Sequence, residues 1–367
     1  MKKIPLLDLQ AQYATIRDDI RQAVDNVLEG GAYIMGPEVK KLEQEIAEFC
    51  GVKHAIGVAN GTDALLLVLD AAGVGPGDEV ITTPFTFFAS AEVISQLGAT
   101  PVFADIDPKT YNIDVEQVRA KITNKTKAII PVHIFGQPAE MDELMKLAEQ
   151  HNLFVLEDAA QAIDAEFKNK KIGNWGHAGT FSFFPTKNLG GYGDGGMIVT
   201  NDDQIAEKVR ILRVHGSNPK YYHSMIGYNS RLDELQAAAL RIKLRHLRDW
   251  NDARRQKAAI YDELLKDLPV VTPYHAEDRR HVYHLYIIQA DDRAGLMNHL
   301  KENGIATGIY YPVPLHRQNV YESLGYGVGS IPISEKMADR TFAIPLYPEL
   351  TREDQEYIAQ TIRNYYK

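Results

Sequence analysis

Short apolar runs alternating with helical patterns restrict this chain to one kind of architecture. Residues 55–59, 79–83, 100–103, 128–133 and 153–157 each read as a strand. Runs that are apolar on both faces belong in a parallel sheet covered by helices. Between the runs lie helical patterns. Residues 38–49 place Val39, Leu42, Ile46 and Phe49 on one face. Asn60-Gly61-Thr62-Asp63 caps the start of a helix whose apolar body is 64–72. Gly75-Pro76-Gly77-Asp78 is a turn. The order predicts an α/β fold: a mostly parallel central sheet with helices on both faces. Residues 231–265 read as one long connecting helix. Residues 283–288, 304–310 and 352–366 read as strand, strand and helix of a smaller C-terminal α+β domain. The expected division is 1–245 for the large domain and 246–367 for the small one.

With 367 residues, 45% hydrophobic and 24% charged, the chain can bury a large core. Its formal net charge is −9 and its basic residues are scattered, which argues against a nucleic-acid surface. The single cysteine, Cys50, rules out an internal disulfide and fits a reducing compartment, so the expected location is cytoplasmic. The basic start Met1-Lys2-Lys3 precedes an apolar run too short for a signal sequence. No stretch approaches the length of a membrane span, so no membrane partner is expected.

The chemistry concentrates after the fifth run. Leu153-Phe154-Val155-Leu156-Glu157-Asp158 ends in a carboxylate, and the carboxyl ends of parallel strands are where ligands bind. Downstream, Ser182-Phe183-Phe184-Pro185-Thr186-Lys187-Asn188-Leu189-Gly190-Gly191 places one lysine on a glycine-rich turn. An aspartate at a strand end plus a loop lysine is what a pyridoxal-phosphate enzyme requires. The lysine forms a Schiff base, and the aspartate pairs with the pyridinium nitrogen. Two other patterns compete. Gly191-Tyr192-Gly193-Asp194-Gly195-Gly196 matches G-x-G-x-x-G, but it leads into the strand-like Met197-Ile198-Val199-Thr200 rather than a helix, which excludes a dinucleotide site. Asp105 and Asp107 stand one residue apart at a strand end, where they either hold a divalent cation or begin a turn at Asp107-Pro108.

The chain resembles the DegT/StrS-type sugar aminotransferases, within the fold-type I pyridoxal-phosphate enzymes. The resemblance spans nearly the whole sequence. It rests on Ile4-Pro5-Leu6-Leu7-Asp8-Leu9, Gly36-Pro37-Glu38-Val39, Ala59-Asn60-Gly61-Thr62-Asp63-Ala64, Thr83-Pro84-Phe85-Thr86-Phe87 and Glu157-Asp158-Ala159-Ala160-Gln161. The lysine loop, Gly227-Tyr228-Asn229-Ser230-Arg231-Leu232-Asp233 and Tyr310-Tyr311-Pro312-Val313-Pro314-Leu315-His316 continue it. The resemblance implies that Lys187 carries pyridoxal 5'-phosphate and shuttles the proton, with pyridoxamine 5'-phosphate as the intermediate form. It implies that Asp158 meets the ring nitrogen, Gln161 the ring hydroxyl and Phe87 the ring face. Gly61, Thr62 and Ser182 would take the phosphate, joined by Asn229 of a neighbouring subunit in a homodimer. Arg231, Tyr310, Tyr311 and His316 would bind substrate. The implied reaction moves an amino group from L-glutamate to a keto sugar linked to dTDP or UDP. The Asn229–Asp233 form resembles members that aminate C3, with C4 the alternative. A dehydratase of the same family would carry histidine at Lys187. A glycosyltransferase would use Asp105 and Asp107 with manganese. A non-catalytic regulator would keep the fold without the chemistry.

Overall fold

The computed structural model describes residues 2–367. Along the chain, α1 (Leu9–Gly30) and α2 (Pro37–Cys50) precede β1 (His54–Val58). There follow α3 (Gly61–Ala71), β2 (Glu79–Thr82), α4 (Ala89–Gln96), β3 (Thr100–Phe103), α5 (Val115–Lys121), β4 (Thr126–Ile130), α6 (Met141–His151) and β5 (Phe154–Asp158). A short ribbon, β6 (Glu166–Phe167) and β7 (Lys170–Lys171), leads to β8 (Ala178–Ser182), β9 (Gly196–Thr200) and α7 (Asp203–Leu212). The central sheet has seven strands in the order β1-β9-β8-β5-β4-β2-β3. Only β9 opposes its neighbours; the β8-β5-β4-β2-β3 ladder is parallel. The carboxyl ends of β1, β5 and β8 therefore open on one edge.

Period-two alternation divides the core between the two faces. Ile129, Val155 and Val199 pack with α2, α6 and α8 (Glu234–Leu244) on one side. Ala128, Ile130, Leu156 and Ile198 pack with α3, α4 and α7 on the other. Helix α3 is almost entirely apolar, and Ala64 to Leu69 are all buried. An all-round apolar helix must be enclosed, and α3 lies pressed on the sheet. Its start is set by Asn60, whose side chain accepts from Asp63 N at 2.8 Å.

The C-terminal part comprises α9 (Leu247–Leu265), β10 (Arg279–Arg280), β11 (Tyr286–Gln289), α10 (Arg293–Glu302), α11 (Pro332–Arg340), β12 (Thr341–Ile344) and α12 (Arg352–Tyr365). β11 and β12 pair antiparallel, and β10 adds to the β6-β7 ribbon. Tyr261, Tyr286, Ile288, Phe342 and Ile358 form a separate core here, and Ile4 from the chain's start joins it.

Three expectations change. Residues 231–265 form two helices, not one, broken at Arg245-His246. α8 packs against α1 and α2, whereas α9 packs mainly against α12, and one straight rod cannot serve both. Residues 304–310 form no strand. Their backbone divides between partners, Ala306 N bonding Ile4 O at 2.9 Å and Gly308 exchanging bonds with Ala343. Helix α1 and strand β12 lie outside the predicted elements.

Candidate active site

At the open sheet edge lies a cavity of about 790 Å³. Lys187, Asp158, Gly61, Thr62, Ser182, Phe87, Gln161, Tyr310 and Tyr311 all line it. The loop bearing Lys187 leaves β8 and returns into β9. Phe183 N donates to Gly195 O at 2.8 Å, Gly191 N to Phe183 O at 2.7 Å and Lys187 N to Phe184 O at 2.9 Å. The turn is so tight that a Cβ on Gly190 would lie 2.3 Å from Pro185 O. Burial pushes the Lys187 amine down to about 8, and the nearby Asp158 carboxylate opposes this only partly. The amine therefore gives up its proton more readily than a lysine in water.

Asp158 closes β5 and is buried. Its carboxylate accepts from Ser90 Oγ at 2.7 Å and Ala160 N at 3.2 Å, and Ser90 in turn pairs with Thr86 Oγ1 at 3.1 Å. Each carboxylate oxygen thus holds one donor, and the group lines the cavity. Gln161 accepts from Phe135 N at 2.7 Å and donates to Tyr311 Oη at 3.1 Å. Tyr311 lies 6.1 Å from the Phe87 ring, and Phe87 stays 56% exposed at the cavity wall although it is a large aromatic.

The start of α3 is a ready anion cradle. Asn60 satisfies the amides of Asp63 and Ala64. The amides of Gly61 and Thr62 have no partner among the described residues, and both residues line the cavity. A Cβ on Gly61 would sit 2.7 Å from Ser182 Cβ, so only glycine lets the helix end approach this serine. Paired amides, a serine hydroxyl, a loop lysine and a clamped aspartate form a donor set that fits a phosphorylated pyridine aldehyde.

Other expected residues lie elsewhere. Asn229 is exposed and Arg231 half-buried, and neither lines this chain's own cavity. His316 is corrected: its ring is buried beside Phe103 and Tyr326, with Nε2 at 3.0 Å from Glu335, so it does not reach the cavity. The two-aspartate cation site is also overturned. Asp105 accepts from Ile333 N, Ser334 N and Ser334 Oγ at 2.9, 2.9 and 2.7 Å and so caps α11. Asp107 accepts from Lys109 N and Thr110 N at 2.9 and 2.7 Å in a tight turn. Among the described residues no group of three or more acids, histidines or cysteines could hold a metal. Gly196 opens β9 rather than a helix, as expected. His133 is a buried structural residue, bonded to Glu157 at 3.1 Å and to Ala139 N at 3.0 Å. Cys50 is buried, which pushes its thiol up to about 12. Ser90, Arg254 and His284 join the site without having stood out in the sequence, and Leu6 and Leu7, quoted there only as part of a motif, line the cavity too. Helical and loop positions like theirs carry no signal of their own.

This sheet order, with a lysine loop and a strand-end aspartate on one cavity, defines a fold-type I pyridoxal-phosphate enzyme. Residues 14–363 match the DegT/DnrJ/EryC1/StrS aminotransferase family, and the chain belongs to it. It is 54% identical to a pleiotropic regulatory protein of Geobacillus stearothermophilus, over 99% of each chain. It is 45% identical to UDP-N-acetyl-3-dehydro-alpha-D-glucosamine 3-aminotransferase of Acidithiobacillus ferrooxidans, over 98% of this chain and 97% of the relative. Its structure is similar to that of DesV from S. venezuelae in complex with a ketimine intermediate, with a TM-score of 0.97, 42% identity and coverage of 100% and 99%. Other solved relatives hold the cofactor in its pyridoxamine or pyridoxal form. The protein is a pyridoxal-phosphate-dependent enzyme of this aminotransferase family.

Proposed function

We propose that the enzyme transfers the amino group of L-glutamate to the C3 keto carbon of a nucleotide-linked sugar. It does so as a cytoplasmic homodimer with shared sites. The convergence of Lys187, Asp158 and the unpaired α3 amides on one cavity carries this reading. Bound there, the cofactor supplies an electron sink for the carbon that loses or gains the amine. Lys187 Nζ takes the proton from the donor carbon and returns one to the acceptor carbon. Asp158 holds a proton on the ring nitrogen through charge. The amides of Gly61 and Thr62 and the Ser182 hydroxyl grip the phosphate, completed by Asn229 of the partner subunit. Phe87 covers the ring, and Gln161 directs its second amide hydrogen to the ring hydroxyl. Tyr310 and Tyr311 present a face and hydroxyls to the sugar, and the partner subunit's Arg231 supplies positive charge. The small domain begins at the α8–α9 turn, as 246–367.

The name of the Acidithiobacillus relative and the Asn229-Ser230-Arg231-Leu232-Asp233 form both support C3. The test is a panel of UDP- and dTDP-linked 3-keto and 4-keto sugars with L-glutamate, with the aminated carbon read by NMR. A 3-amino product is expected. A 4-amino product from a 4-keto sugar would overturn the regiochemistry.

A further inference from the structure

Arg254, on α9, is 4% exposed and lines the same cavity as Lys187. Its Nη1 donates to the carbonyls of Tyr283, His284 and Leu346 at 3.3, 3.4 and 2.9 Å. Those bonds fix the guanidinium against the segments flanking β11 and β12. Among the described residues, Nε and Nη2 have no hydrogen-bond partner, and Glu349, the carboxylate that acts on Arg254 through charge, makes no ion pair with it. These two nitrogens form the fork that grips a carboxylate side-on. Arg241 of this same chain shows the geometry: its Nε and Nη2 hold Glu45 at 3.0 and 2.5 Å. A buried cation with an empty fork is costly unless an anion arrives.

The fork also lies beside the reacting centre. His284, whose carbonyl accepts from Arg254, bonds through its ring to Asn188 Oδ1 at 3.1 Å, and Asn188 follows Lys187. Lys187 and Arg254 are the only lysine or arginine lining the cavity, among the described residues. Burial, joined by the charges of Lys187 and Arg254, holds the His284 imidazole well below the usual histidine range.

We propose that Arg254 binds the α-carboxylate of the amino donor. The inference rests on the reading above that this donor is an amino acid. An α-carboxylate is one bond from the carbon that reacts at Lys187, so its receptor must adjoin that lysine. The cofactor phosphate has the α3 amides, and the phosphates of a sugar nucleotide lie a whole sugar ring away. A uronate carboxylate, three bonds from C3, is the remaining rival.

The test compares L-glutamate with 4-aminobutyrate, which lacks only the α-carboxylate. Bleaching of the cofactor band is followed in single turnovers of the holoenzyme, Arg254→Gln and Arg254→Lys. In the variants the preference for glutamate should fall by roughly 10- to 100-fold, the range for a lost charged hydrogen bond. Reaction with 4-aminobutyrate should slow far less than reaction with glutamate, and the cofactor band should be retained. An unchanged preference, or equal slowing with both amines, would make Arg254 structural and overturn the proposal. So would loss confined to the keto-sugar half-reaction, which would assign the fork to a uronate. If Arg254→Gln retains no cofactor, Arg254→Lys decides; a colourless Arg254→Lys protein also overturns the assignment. A wild-type enzyme inert to every L-amino acid would instead defeat the donor reading itself.

Discussion

A lysine amine in water is protonated near neutral pH and cannot attack an aldehyde. In this chain burial brings Lys187 from its ordinary 10.5 to about 8. The folded value lies below the unfolded one, so folding disfavours the charged form. Below about 8 the folded protein pays for burying the ammonium, and between about 8 and 10.5 its stability rises with pH as the folded chain sheds the proton first. In cofactor-free protein, the rate of covalent capture of pyridoxal phosphate should therefore climb with pH and level off above about 8. Stopped-flow absorbance across pH 6 to 10 checks this; a rate still climbing at 10 would show an unshifted lysine. Lys187 and Asp158 were legible because a glycine-rich turn and a strand-end carboxylate leave few other roles. Ser90, which clamps Asp158, was not, because a serine in the first turn of a helix reads as an ordinary cap. His316 misled because its motif position said sugar pocket, whereas Glu335 and Phe103 hold it in the interior.

At the scale of elements, the site depends on how closely α3 approaches β8. Gly61→Ala would drive a methyl to within 2.7 Å of Ser182 Cβ and move the amides away from the cavity. The cofactor dissociation constant should rise roughly tenfold or more, and Ser182→Gly should recover part of that loss, since contacting residues couple by about 0.5–3 kcal/mol. Equilibrium dialysis of the cofactor with both single variants and the double variant measures this; strict additivity would contradict it. Asp105 belongs to α11 rather than to the chemistry. Asp105→Ala should cost about 1–3 kcal/mol in denaturant unfolding, the penalty for stranding buried donors. Turnover per folded molecule should be unchanged, and manganese or chelators without effect. The strands were legible where an apolar run is long enough to be buried on both faces. β12 was not, although it is no shorter than β2 or β3: it follows α11 directly, with no turn residue between Arg340 and Thr341 to mark its start. Helix α1 buries only Ile16, Ile20 and Val27, too sparse a face to announce a helix before its partner α8 is in place.

For the whole molecule, the proposal makes the dimer a catalytic requirement. Asn229 and Arg231 do not line their own chain's cavity, as the shared-site reading requires. Mixing Lys187→Ala chains with Asn229→Ala chains should therefore restore activity, because each mixed dimer regains one intact site. Assays of co-refolded mixtures should exceed either variant alone; no gain in proven mixed dimers would place both residues in one chain's site. The most direct test of the central claim is the absorbance spectrum of the holoenzyme through one cycle. A visible cofactor band should appear that L-glutamate bleaches and a 3-keto sugar nucleotide restores, with the band absent in Lys187→Ala. A wild-type band that persists unchanged in Lys187→Ala, or that no amino donor bleaches, would contradict the claim.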